Sequence, residues 1–287
     1  MTLLAEPPFA VPTAEAVMAR AQGENFPVAG RLLPRRRREQ LLSVYGFARL
    51  VDELGDGVAG DRLAALDWLE SELDDALAGR ATHPLMVRLE ATLHECALPR
   101  EPFVRLIEAN RADQRRSRYE TWEELRAYCA LSADPVGEIV LGIFGFSDPA
   151  RVGLSDSICT ALQLVEHCQD VAEDLAKGRI YLPLEDLARF GCREHELAAP
   201  HASAPLRAVL AFEVQRSRTL LDAGAPLLHR LGGTARLAVA AFLSGGRAAC
   251  GAIEAAGYDV LPGPPRASRT GRAAALAGTL LAVAAGR

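Results

Sequence analysis

The sequence predicts an all-α fold, and three observations carry that reading. Apolar residues recur at helical spacing along most of the chain. No stretch alternates apolar and polar residues as a half-buried strand does. Alanine and leucine, both strong helix formers, dominate. With 287 residues, 49% of them hydrophobic, the chain can bury one large core. Pro7, Pro8 and Pro12 mark residues 1–13 as a flexible N-terminal arm. Thr13 caps a first helix that runs to Gly23, and Pro34 sits in the first turn of a long helix ending at Gly57. Further helices are expected over 61–79, 83–96 and 100–114. Thr121, with Glu124 three residues on, makes a capping box for a continuous helix over 121–145. Helices over 155–177, 184–189, 203–230 and 233–256 come next, with a last one in the tail. Glycine and proline punctuate 148–153, 178–183, 198–205 and 262–265. The expectation is one helical domain over 14–261 and a C-terminal tail over 262–287.

Several function classes drop out on composition. The net charge of −5 and the lack of a long basic face argue against nucleic acid as a partner. The six cysteines (Cys96, Cys129, Cys159, Cys168, Cys192, Cys250) form no CxxC pair and mostly sit among apolar residues. Together with the absence of a secretory leader, they point to reduced core thiols in the cytoplasm. The histidines form no HExxH pattern, which argues against zinc. No GxGxxG or Walker pattern is present, which weakens a dinucleotide or ATP reading. No apolar run is expected to reach membrane-spanning length. The nearest, AAALAGTLLAVAAG over 273–286, comes after Arg266, Arg269 and Arg272 and suits peripheral docking at the inner face of a membrane.

Two aspartate pairs carry the chemistry: Asp52 and Asp56 in YGFARLVDELGDG, and Asp170 and Asp174 in QLVEHCQDVAEDLAKGRIYLP. On a helix the DxxxD spacing stacks two carboxylates one turn apart on one side. They repel unless a cation lies between them. Each pair precedes a glycine stop, Gly57 or Gly178, and so falls in the last turns of its helix, where the dipole disfavours negative charge. At about 100° per residue, Tyr45, Arg49, Asp52 and Asp56 lie within roughly 60° of one another. Gln163, Glu166, Asp170 and Asp174 lie within about 80°. Both stripes are narrow and bordered by apolar residues, unlike a solvated face. Hard oxygen ligands of this kind suit Mg²⁺, which usually completes its shell with substrate phosphates. Arg49 then suits phosphate, as do Lys177 and Arg179 at the basic exit of the second motif.

At these residues the chain resembles the squalene/phytoene synthase family of head-to-head prenyl synthases. YGFARLVDELGD is similar to the first aspartate motif of that family. RYETWEELRAYC (118–129) followed by DPVGEIV (134–140) is similar to its central segment, and LQLVEHCQDVAEDLAKGRIYLP (162–183) to its second motif. ENFPVAGRLLP (24–34) and Gln169 most resemble the hopanoid-operon, HpnC-type branch. The resemblance implies a single bundle of α-helices around a central cavity, the class I isoprenoid synthase fold. It implies an enzyme, a prenyl diphosphate lyase or transferase. The HpnC-type branch ionises presqualene diphosphate and traps the rearranged cation with water as hydroxysqualene. The implied partners are the prenyl diphosphate and the other enzymes of hopanoid synthesis. Two alternatives are a condensing synthase making presqualene diphosphate, dehydrosqualene or phytoene from two prenyl diphosphates, and a non-catalytic scaffold of the pathway.

The resemblance also implies roles residue by residue. Asp52, Asp56, Asp170 and Asp174 hold Mg²⁺, with Glu166 a further ligand. Arg49 holds diphosphate, and Gln163 orients the metal shell or a water. Tyr45 and Tyr128 line the cavity near the cation. Asn25 and Phe26 fall in a phosphate-proximal segment. VGEIVLGIFGF (136–146), with Val136 and Gly137 first, suits a hydrocarbon-tunnel wall in which glycines leave room for prenyl chains. The sequence departs from the family in three places. Glu166 stands where asparagine is usual, and Gly245 and Gly246 where a tyrosine is common. LPGPP separates Tyr258-Asp259-Val260 from the basic residues that usually come next.

Overall fold

The computed structural model describes residue 9, residues 11–19 and residues 33–285. Asn25 and Phe26 lie outside the described residues. The fold is all-α. Among the described residues there is no strand, only an isolated bridge between Arg118 and Ile180. The helices are α1 (Ala14–Met18), α2 (Arg35–Asp52), α3 (Arg62–Leu77), α4 (Pro84–Cys96), α5 (Glu101–Asp113), α6 (Trp122–Ser132), α7 (Asp134–Phe144), α8 (Pro149–Gln169), α9 (Val171–Ala176), α10 (Leu184–Arg189), α11 (Ala204–Gly224), α12 (Gly233–Ala255) and α13 (Arg269–Ala284). A π-turn, Glu53–Gly57, extends α2.

Two compact units divide the chain. The first takes the described residues up to Arg115 and Ile139–Gly145; the second takes Arg116–Glu138 and Phe146 onward. In the first, α2 packs on α4 and α5, and its Phe47 and Leu50 are fully buried, as is Leu54 of the π-turn. Phe47 meets Phe103 edge-on at 5.2 Å. Burying such a side chain is worth about 1.5–3 kcal/mol. Arg100, just before α5, and Arg111 within it pair with Glu70, Asp74 and Asp67 of α3. The described part of the N-terminal arm is packed: Phe9 is buried edge-on against Trp68, and Pro12 meets His83 through its carbonyl.

In the second unit α8 packs on α11, and α12 packs on both. A buried ionic knot pins α11: Arg216 donates to Asp186 and to both oxygens of Glu213, and stacks over Trp122. Burial pushes the Glu213 carboxyl up to about 8, against the pull of Arg216. The cysteines are all free, as expected, and burial raises the thiols of Cys129, Cys168 and Cys250.

Several boundaries differ from the sequence expectation. The helix expected over 121–145 breaks at Ala133, because Pro135 has no N–H to continue the ladder and Val136 bonds back to Ala133 instead. Thr121 caps as expected, but Glu124 reaches the amide of Glu120. Pro34 is the N-cap residue of α2, one position before its first turn. The helix expected from 155 starts at Pro149, capped by the Asp148 side chain, and ends at Gln169. The stretch expected to 230 tightens into a 3₁₀ turn at Ala225–Arg230, where Pro226 interrupts the α-ladder. The expectation that no run reaches membrane-spanning length also fails. Gly233–Ala255 has 23 residues and is apolar enough by length and composition, as is the stretch Trp122–Phe144, which Ala133 divides into α6 and α7. In the second unit α12 serves as a core helix, with Leu243, Cys250 and Ile253 fully buried.

Candidate active site

Asp52 is the last residue of α2, and Asp56 lies within the π-turn directly after it. The backbone between them is therefore not α-helical, as the spacing alone implies, but one residue wider in its turn. Arg49, one turn earlier, contacts Asp52 at 3.3 Å. Tyr45 and Arg49 are half-buried, Asp52 is exposed and Asp56 half-buried. Val44, Phe47, Leu50 and Val51, next to this stripe on α2, are buried. The narrow polar stripe is thus real in the folded first unit.

The second pair straddles a kink. Asp170 closes α8 with φ −100° and ψ 18°, outside the helical region, and Asp174 lies in the first turn of α9. The expected C-terminal position holds for Asp170, and in the six-residue α9 Asp174 belongs to the first turn and also to the last, where its carbonyl accepts from Lys177. Burial, then the charges of Glu173 and Asp174, push the Asp170 carboxyl up to about 6. The two neighbouring carboxylates thus add to the effect of burial at this kink, a repulsion that a cation relieves. Glu166 is half-buried on α8. Lys177 is exposed at the end of α9. Arg179 is 8% exposed and lines a void of ≈ 10 Å³ with Asp174 and His167, room for about one water.

His167 has no motif to mark it in the sequence and lies at the centre of this region. It is buried, stacked on Tyr181 at 3.9 Å between ring centres. Gln163 contacts its Nε2 at 3.2 Å, and its Nδ1 lies 3.8 Å from Asp174. Tyr128 joins Tyr119 and Tyr181 in the same aromatic cluster, at 5.3 and 5.4 Å. The one sequence signal for His167 is its position, one turn after Gln163 and seven residues before Asp174. Gln169 is buried and its amide donates to the Pro265 carbonyl, so it ties α8 to the segment after α12.

Gly137 does not leave room for a chain. A Cβ there would stand 2.3 Å from Ser155 Oγ and 2.6 Å from Cys159 Sγ, so α8 fills the space. Val136 beside it is half-buried.

The donor set bears on Mg²⁺. Among the described residues, no three His, Cys, Asp or Glu side chains converge on one point, so Glu166 does not complete a three-carboxylate cluster with Asp170 and Asp174. Pairs of carboxylates nonetheless fit Mg²⁺, which keeps several waters and is commonly held by one or two carboxylates plus phosphate oxygens. The Asp170 carboxyl is raised first by burial and only then by the charges of Glu173 and Asp174, against the opposite pull of His167 and Arg266.

Residues 19–273 match the squalene/phytoene synthase family model. The chain belongs to the squalene/phytoene synthase family. This is a family of enzymes acting on prenyl diphosphates. The chain is 47% identical to squalene synthase HpnC from Alicyclobacillus acidocaldarius, with a TM-score of 0.78 over 85% of this chain and 94% of that one. It is 36% identical to a hydroxysqualene synthase of Rhodopseudomonas palustris over 208 residues, 71% of this chain and 70% of the relative. It is 33% identical to a phytoene synthase of Arthrospira platensis over 224 residues, 72% of each. As a squalene/phytoene synthase, the chain departs at Gly246 for a packing reason. A Cβ there would meet a terminal methyl of Leu162 on α8 at 2.7 Å and Leu221 at 3.2 Å, so leucine side chains occupy the space beside it. Asp259, near the other departure, accepts from the Ala202 amide and pairs with Arg207 and His201.

Proposed function

We propose that this enzyme ionises presqualene diphosphate and captures the rearranged cation with water, giving hydroxysqualene. The observation that carries this reading is the 47% identity to an HpnC squalene synthase, supported by the hydroxysqualene synthase relative. Asp52, Asp56, Asp170 and Asp174 bind Mg²⁺ in this reading. Bound Mg²⁺ neutralises the charge that grows on the diphosphate as the C–O bond breaks. Arg49 holds diphosphate oxygens through its planar, multi-donor head. Tyr128, within the aromatic cluster, offers an electron-rich surface, while Gln163 orients water or the metal shell. Water adds to the cation and loses a proton, so no hydride donor is required. The phytoene synthase relative favours a second reading, condensation of two prenyl diphosphates.

The deciding experiment incubates the full chain with presqualene diphosphate and Mg²⁺, with and without NADPH, in isotope-labelled water. A labelled C30 alcohol that does not depend on NADPH is expected. Squalene formed only with NADPH would overturn the reading, and phytoene or dehydrosqualene from simple prenyl diphosphates would establish the second one.

We also infer peripheral membrane contact through α13. Its outer face presents Ala273, Ala274, Ala277, Gly278 and Leu281, the last 71% exposed, with Arg266 and Arg269 exposed at its start. Sedimentation with vesicles rich in anionic lipid should carry the chain down, and Leu281→Asp should reduce that fraction. Equal recovery with neutral vesicles would remove the electrostatic part of the inference.

A further inference from the structure

The π-turn at Glu53–Gly57 is gripped from two sides, and nothing in the metal reading explains why. Val58 donates to the carbonyl of Glu53 at 3.1 Å, the five-residue bond that defines the wide turn. From α5, Gln114 Nε2 donates to the Gly55 carbonyl at 2.9 Å and to the Asn110 carbonyl at 3.1 Å. A Cβ on Gly55 would lie 2.2 Å from Asn110 Oδ1 and 2.9 Å from its Cγ. From α3, Arg62 Nη2 donates to the Asp56 carbonyl at 3.0 Å.

We propose that Gln114 is a positioning residue, which holds the π-turn in shape and thereby sets the direction of Asp56 relative to Asp52, with Asn110 fitted against Gly55. The inference rests on the reading of these aspartates as metal ligands. π-turns are rare and favour functional sites, because a widened turn persists only where its surroundings enforce it. Relative to a continuous α-helix, such a turn changes the phase of the residues beyond it by up to one position, roughly 100°. Relaxation to an α-turn would therefore swing Asp56 away from its present direction. Gln114 opposes this by binding the Gly55 carbonyl, and Asn110 fills the space into which a side chain at 55 would grow. Gly55 is thus required for the approach of α5, and the approach of α5 maintains the geometry of the first carboxylate pair.

The test uses the full chain and two readouts independent of turnover: binding of Mn²⁺ in the presence of inorganic pyrophosphate, measured by electron paramagnetic resonance, and hydrogen exchange at the Val58 amide. Gln114→Leu should weaken Mn²⁺ binding by about tenfold or more, as removal of groups that orient metal ligands commonly does. It should also speed Val58 exchange, with the melting of the rest of the protein little changed. Gly55→Ala should do the same by collision with Asn110. Adding Asn110→Ala should then restore affinity to within about threefold of the starting protein, the signature of direct coupling. Wild-type Mn²⁺ affinity and Val58 protection in Gln114→Leu would overturn the proposal, as would a double variant no better than Gly55→Ala. Should Gly55→Ala fail to fold, Gln114→Leu decides. If the unsubstituted chain binds no Mn²⁺, the metal reading falls, and Val58 exchange alone judges whether α5 holds the turn.

Discussion

Asp52 and Asp170 open the same four-residue spacing, yet half of the Asp52 side chain meets solvent beside Arg49, whereas burial and two neighbouring carboxylates hold the Asp170 carboxyl up at about 6. The contrast extends to the packing around each pair. In the first unit the pair of Arg100 with Asp74 is near the surface, the two being 41% and 54% exposed. In the second, Arg216 faces Asp186 and Glu213, which are 5% and 0% exposed. One sequence motif is therefore installed in two electrostatic settings. The first aspartate is partly neutralised by its own helix. The second remains under-neutralised until a cation arrives, so metal should stabilise the second unit more than the first.

The largest expected effect tests the packing side of this contrast. Arg216→Met leaves two carboxylates buried without their cation and should cost about 3–5 kcal/mol in denaturant unfolding. Arg100→Met should cost no more than about 1 kcal/mol, because its partners are solvated. Equal losses would erase the distinction between the two units.

The catalytic side comes next. Asp52→Ala and Asp170→Ala should each lower kcat by roughly 10²–10³-fold while circular dichroism stays helical, the scale of removing one group that stabilises a developing charge. Near-normal turnover by either variant would release that pair from the proposed site. Arg49→Lys should weaken inhibition by free pyrophosphate by about tenfold, since an ammonium cannot reproduce forked contacts. Unchanged inhibition would reduce Arg49 to the partner of Asp52.

A smaller effect separates the two aspartates directly. Without metal, Asp170→Asn should raise stability by about 1 kcal/mol, a figure discounted for partial exposure. Asp52→Asn should leave it unchanged or slightly lower, because it loses the Arg49 pair. Scanning calorimetry of both variants without divalent metal would show it, and a rise for Asp52→Asn would reverse the comparison.

The last effect is a slope with pH. The folded carboxyl of Glu213 is raised above its ordinary value of 4.5, to about 8. Its contribution is therefore fully present below about pH 4.5 and is lost as pH rises through about 8. Glu213→Gln should be nearly neutral at about pH 4.5 and should flatten the decline in stability between about pH 4.5 and pH 8. A decline of the same steepness in the variant would assign it to other groups.

Much of this was legible in the residues. Thr13 and Thr121 cap helices as their types require, and α4, α5 and α10 fall within a residue or two of where glycine, proline and periodicity put them. The motifs also led to the family. The misses share a cause. Pro135 breaks one helix and Pro226 tightens another, but Pro149 and Pro205 open helices instead, and only neighbouring contacts decide between those outcomes. His167 was invisible because a lone histidine carries no pattern; its stacking on Tyr181 comes from a residue fourteen positions later.

The chain by itself determined which groups are available: four aspartates, an arginine one turn before the first, and apolar borders that keep each stripe narrow. These are local properties, set by spacing along a helix and by the solubility of each side chain. Tertiary structure alone decided that the first spacing spans a π-turn held by Gln114 and Arg62, that the second spans a kink, and that α8 side chains fill the space beside Gly137 where room for a ligand chain was the expectation. The reason is physical. A turn only slightly less favourable than its α-helical alternative, or the space beside a glycine, is settled by the atoms that pack against it, and those come from parts of the chain that local spacing does not see.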